Sequence, residues 1–133
     1  MSQYMTVEFE VNSPAVRDAL LDGCASVIKL EKRDRGESTD RVFSFEAERS
    51  ERRIALAIGF EEQLEAGYRV ADLPVEVADR LATSVAVAIA EEMTALVCDA
   101  DELQPRGLVV RRAARLMQTL VALDGAIERL TPR

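Results

Sequence analysis

Residues 53–60 read RIALAIGF. Ile54, Leu56, Ile58 and Phe60 alternate with Ala55, Ala57 and Gly59. That period of two predicts a strand with its large side chains toward a core and its small ones on a closely approached second face. Working back from it, Arg49-Ser50-Glu51 reads as a tight turn. Residues 41–48, with Phe43 and Phe45 on one face, read as another strand. The polar run RDRGESTD at 33–40 predicts an exposed hairpin loop. Before it, Ile28 and Leu30 alternate with Lys29 and Glu31, so 25–32 also reads as a strand.

The N-terminal part opens with one more alternation. Val7, Phe9 and Val11 face one way, and Thr6, Glu8 and Glu10 the other, as in a half-buried strand. Ser13 is a good N-cap and Pro14 suits the first helical position, so a short helix is predicted to about Asp22 with Gly23 as its stop.

Toward the C-terminus, residues 61–73 are ambiguous. Glu61 to Glu65 fit a helical turn that Gly67 would break, and Tyr68 to Leu73 fit a short edge strand. Pro74 then opens a long helix to about Cys98, DADELQP at 99–105 interrupts, and a last helix runs from Arg106 or Gly107 to Leu130. Val109, Ala113, Leu116, Leu120, Leu123, Ile127 and Leu130 recur every three or four residues and form one buried stripe of that helix. The order is β-α-β-β-β-α-α in a single domain over residues 1–133, because neither half alone has enough apolar surface to bury. The expected fold is α+β: an antiparallel sheet of about four strands packed by two long C-terminal helices.

Chemistry is scarce. The chain has no His, which excludes Ser-His and Cys-His nucleophilic pairs and argues against zinc. Its glycines form no phosphate cradle and its serines no nucleophile elbow. A calcium loop starting at Asp99 would put Leu103 and Gln104 where Asp or Asn and Gly are needed. Glu61-Glu62 and Glu91-Glu92 read as solvated faces. No catalytic residue, cofactor or metal is therefore expected. Cys24 and Cys98 sit far apart among apolar residues and read as buried free thiols. MSQYMTVEFE has the character of no secretory signal, and the uncharged run from Leu81 to Ala90 is too short to span a bilayer. A cytoplasmic protein without membrane contact is expected.

Charge is unevenly distributed within the net −7. Residues 61–102 hold eleven acids against Arg69 and Arg80, whereas 103–133 hold six bases against Asp124 and Glu128. If the last two helices form an antiparallel hairpin, Glu91, Glu92 and Asp99 face Arg111, Arg112 and Arg115, with Arg115 level with Glu91 and Glu92. The same arginines could hold phosphate, but the net charge and the lack of aromatics in that helix argue against nucleic acid. The helix–three strands–helix order resembles double-stranded-RNA-binding domains in topology. Those modules need a basic start to the second helix, and here that position reads PVEVAD at 74–79.

The two closing helices hold more apolar surface than they can hide between themselves. Val77, Leu81, Val87, Val97, Met117 and Val121 are expected to stay partly exposed, and such a patch marks an interface. The functional expectation is a non-catalytic protein–protein interaction module of the chaperone, adaptor or assembly-factor type, homodimeric, with another protein as partner. Small acidic secretion-type chaperones are similar in size and charge. Val87, Met117 and Val121 are the apolar contact residues, and Glu61, Glu62 and Glu65 a charged rim. The alternative is an acidic antagonist, of the phage- or mobile-element type, that mimics nucleic acid with the 61–102 block.

Overall fold

A computed structural model of the chain describes residues 6–37, 44–98 and 106–128. Its element order is β1 (Thr6–Glu10), α1 (Pro14–Glu37), α2 (Ser44–Glu65), β2 (Val70–Pro74), a 3₁₀ turn (Val75–Val77), α3 (Ala78–Cys98) and α4 (Arg106–Glu128). Four helices and a two-stranded sheet thus replace the expected four-stranded sheet with two long helices.

The correction begins at 53–60, which is the middle of α2. Its buried residues are Ile54, Ala57, Phe60 and Leu64, at helical spacing, while Ile58 is 39% exposed. Ala57 belongs to the core, so the alternation of large and small side chains does not mark two faces. The turn expected at 49–51 continues the same helix. Of the strand expected at 41–48, residues 44–48 begin α2 and 41–43 lie outside the described residues.

The strand expected at 25–32 is likewise helical. Val16, Ala19, Leu20, Cys24 and Val27 are buried along one unbroken stripe of α1, which carries the helix through Gly23 and on to Glu37. Gly23 is not a stop. A Cβ there would lie 2.7 Å from Leu81 Cδ2 and 3.2 Å from Leu81 Cα, so the residue admits the backbone of α3. At the front of α1, the Val16 amide donates to Ser13 Oγ at 3.2 Å, the N-cap expected from sequence.

Helix α2 ends at Gly67, whose φ is +83°. The Tyr68 amide donates to the Gln63 carbonyl and the Gly67 amide to that of Leu64, both at 3.1 Å. This is the glycine-terminated helix end in which the last free carbonyls are satisfied. The chain then reverses into β2, which pairs antiparallel with β1 in the register Val7↔Leu73 and Phe9↔Ala71. Phe9, Ala71 and Leu73 are buried, and Gln63 Oε1 accepts from the Asp72 amide at 2.8 Å. One core results, with Phe60, Leu20, Leu64, Leu73, Leu81, Leu116 and Leu123 among its largest members. Helix α1 is the common neighbour: it packs against α2, α3 and, more lightly, α4, and α3 packs against α4.

Two consecutive arginines of α2 hold the 3₁₀ turn. Arg52 Nε donates to Glu76 Oε2 at 3.0 Å and its Nη2 to Glu76 Oε1, while Arg53 Nη1 donates to the Glu76 carbonyl at 3.1 Å. The Arg52 hydrogen bonds, helped by the charges of Arg52, Arg53 and Arg49, hold the Glu76 carboxyl below its ordinary value of 4.5 against the opposing effect of burial. A folded pKa below the unfolded one stabilises the fold above the unfolded value, and that contribution disappears as pH falls through the folded value. Wild type is therefore expected to lose about 1 kcal/mol more than Glu76→Gln on acidification from neutral pH to below 4.5. Urea unfolding at a series of pH values checks this, and parallel pH profiles would refute it.

Candidate protein-interaction face

Helix α4 buries Val109, Ala113, Leu116, Thr119, Leu123 and Ala126, against α3 and more lightly against α1. The expected stripe is thus the inner face of the helix, with Leu120 and Ile127 half-buried and Leu130 outside the described residues. About a third of a turn around the helix runs a second apolar line: Val110, Ala114, Met117 and Val121, all exposed. Val121 is 72% and Met117 44% exposed.

Helix α3 is similar. From Thr83 to Val97 its exposed positions are Thr83, Ala86, Val87, Ala90, Glu91, Met93, Thr94, Ala95 and Val97, and only Glu91 is charged. Val97 is 81% and Val87 52% exposed. By contrast, α2 turns Glu48, Arg49, Glu51, Glu62 and Glu65 to solvent. One side of the molecule is therefore solvated by charge, while the outer side of the α3–α4 hairpin carries an apolar band along both helices.

An ion pair between α3 and α4 marks the hairpin's register. Arg112 Nε donates to Glu92 Oε1 at 2.9 Å and its Nη2 to Oε2 at 3.2 Å. Both side chains are partly buried beside the inner face, and such a two-pronged pair sets alignment more than stability. Counting away from it at about 1.5 Å per residue puts Val87 level with Met117, Ala90 with Ala114 and Thr94 with Val110. The apolar segments of the two helices lie at one height.

Arg112, and not Arg115, therefore meets the α3 glutamates. Arg112 projects from the inner side of α4, next to Val109, Ala113 and Leu116. Arg111 and Arg115 lie farther round, and with Arg112 and Leu108 they border a cleft of about 370 Å³ against Asn12, Ser13, Pro14 and Ala15 at the start of α1. Neither Arg111 nor Arg115 meets a carboxylate among the described residues. Glu91 stands exposed on α3, and Asp99 lies outside the described residues.

Of the other expected site residues, Val77 and Leu81 are fully buried, so they are core and not surface. Glu61, Glu62 and Glu65 sit on α2, which packs chiefly against α1, β2 and the 3₁₀ turn and not against the helices that carry the apolar band. They do not form a rim around it. Sequence reading missed Met93, Val110 and Ala114. The signal was present for α4: stepping back from Val121 by four, three and four gives Met117, Ala114 and Val110.

Cys24 is a free, buried thiol. Burial, with a smaller contribution from the charge of Glu61, pushes it up to about 12, so it is not a nucleophile. The Cys98 side chain lies outside the described residues. Among the described residues no group of three Cys, Asp or Glu side chains is placed to hold a metal ion. No helix there is long and apolar enough to cross a membrane.

No family model, no curated protein and no solved structure matches this chain.

Proposed function

We propose that this chain is a non-catalytic protein–protein interaction module of the chaperone, adaptor or assembly-factor type, homodimeric and cytoplasmic. One observation carries the reading: along the outer side of the α3–α4 hairpin, from Thr83 to Val97 and from Val110 to Val121, the exposed positions are mostly uncharged. At about 1.5 Å per residue and two helix widths, that band covers about 22 Å by 20 Å. Most of that outline is uncharged, and the largest apolar patch of a soluble domain, about 300–600 Å², is often functional.

The alternative, an acidic antagonist that mimics nucleic acid, has less support. The described part of its acidic block is divided among α2, β2, the 3₁₀ turn and α3, and Glu76 and Glu92 are each taken up by an arginine.

Light scattering on wild type and on Val121→Glu tests the proposal. Wild type is expected to run at about twice 14.7 kDa, and the variant at or near the single-chain mass. Because Val121 is 72% exposed, the melting temperature of the separated chain should change by no more than the effect of about 0.5 kcal/mol typical of surface substitutions. A wild-type chain that stays single up to its solubility limit, with solution behaviour identical to Val121→Glu, would refute it.

A further inference from the structure

We infer that the apolar band is covered by a second copy of this chain, turned end for end about a twofold axis that crosses α3 and α4 at mid-height. In this pairing α4 lies antiparallel on α4 of the second copy, and α3 antiparallel on its α3. The inference rests on the interaction reading above and names the partner.

The sequence of the outer line of α4 carries the argument. It runs Arg106, Val110, Ala114, Met117, Val121, Asp124, Glu128, and at 100° per residue all seven lie within about 80° of one another. Reversed upon itself, this line matches. Val110 meets Val121 of the second copy, and Ala114 meets Met117, so the long side chain falls opposite the small one. At the two ends Arg106, which already has a partner within its own chain, comes level with Asp124 of the second copy and within a turn of Glu128. A parallel pairing would instead set Arg106 beside Arg106 and Asp124 beside Asp124, which costs free energy. The line is thus complementary to its own reverse and not to itself in the same direction, as a twofold contact requires.

Helix α3 gives a separate check. The Glu92–Arg112 pair marks its height against α4, so the axis through the middle of the α4 line crosses α3 between Ala88 and Ile89. The same rotation then sets Val87 on Ala90 of the second copy and Thr83 on Thr94. All four residues are exposed and uncharged. The match on α3 is confined to these two pairs: the same rotation brings Ala86 level with Glu91 of the second copy and Val97 with Arg80.

Disulfide trapping distinguishes this arrangement from any other. Val110→Cys and Val121→Cys are made singly in a Cys98→Ser background, where Cys24 stays buried and protonated. Under mild oxidation the mixture of the two variants should form a disulfide dimer joining 110 to 121. Each variant alone should form at least about tenfold less, because equivalent positions would be about 16 Å apart along the helix, beyond disulfide reach. As a second measurement, Arg106→Glu should weaken dimerisation about tenfold, and adding Asp124→Arg should restore it.

Efficient self-linking of Val110→Cys would mean a parallel contact and overturn the inference. A wild-type dimer with no 110–121 product places the contact elsewhere, which overturns the inference and leaves the interaction reading standing. A chain that neither dimerises nor cross-links overturns the inference and removes the homodimer from the reading on which it rests.

Discussion

Gly23→Val lowers the unfolding free energy by about 3 kcal/mol, the largest effect expected from adding so few atoms at any glycine among the described residues. Two opposing contributions decide the sign. Valine favours a helix over glycine by a few tenths of a kcal/mol, and at an open helical glycine such as Gly125, where an added Cβ meets nothing within 4 Å, that gain would dominate. At Gly23 the Cβ alone comes within 2.7 Å of Leu81 Cδ2 and 3.2 Å of Leu81 Cα. The first atom could swing aside only into a core where Leu81 is fully buried. The second is backbone, so α3 itself must retreat from α1. The two methyl groups of valine enlarge the clash. The paired comparison is Gly125→Ala, expected to stabilise by up to about 1 kcal/mol. Urea midpoints for both variants check the pair. A Gly23→Val chain within 0.5 kcal/mol of wild type would mean that α1 and α3 are not in backbone contact there.

The same glycine shows why the fold was only half legible. Gly23 follows a short apolar face, so it reads as a helix stop, and the residues after it happen to alternate. What overrides that reading is tertiary: Cys24 and Val27 continue the stripe of Val16, Ala19 and Leu20, and the gap at 23 is where α3 crosses. In α2 the misleading residue is Ala57. Small side chains are ordinarily discounted as core, and discounting Ala57 leaves Ile54, Leu56, Ile58 and Phe60 as a perfect strand. Counting it gives Ile54, Ala57, Phe60 and Leu64, the residues that are in fact buried. The two closing helices were readable because their inner stripes are long and made largely of big side chains.

For the apolar band of α3 and α4, position along the chain was legible and alignment was not. Val87, Met117 and Val121 stand out because they fall off the inner stripes of their helices. Which arginine meets Glu92 depends on how two helices slide past each other, a shift of a few residues that no local pattern records. Arg112 wins because it projects from the same side of α4 as Val109 and Leu116, and only there can a guanidinium reach across the hairpin. That register is also what brings the two apolar segments to one height.

Arg53→Ala should cost about 3 kcal/mol, and the reason lies in how many elements one guanidinium joins. Its side chain is only 11% exposed. Nε lies 3.1 Å from Glu31 Oε1 on α1 as an ion pair without hydrogen-bond geometry, Nη1 donates to the Glu76 carbonyl in the 3₁₀ turn at 3.1 Å, and Nη2 lies 3.8 Å from Asp79 Oδ1 at the start of α3. Truncation strands the Glu31 carboxylate, itself 19% exposed, and a turn carbonyl without their partner, and removing one member of such a pair costs far more than the pair contributes. Arg53→Met, which restores the volume, should recover less than half of the loss, since packing is the smaller part. Glu31→Gln combined with Arg53→Ala should be less harmful than the sum of the two, with a coupling of about 1–2 kcal/mol. Raising the salt concentration should weaken that coupling less than it weakens pairs on the charged outer side of α2, because a partly buried pair is less screened. Chemical unfolding of the four proteins of the cycle at low and high salt measures each quantity. Strict additivity, or a coupling that vanishes in salt, would show that Arg53 acts as one more solvated surface charge and not as the tie between α1, α2 and the turn into α3.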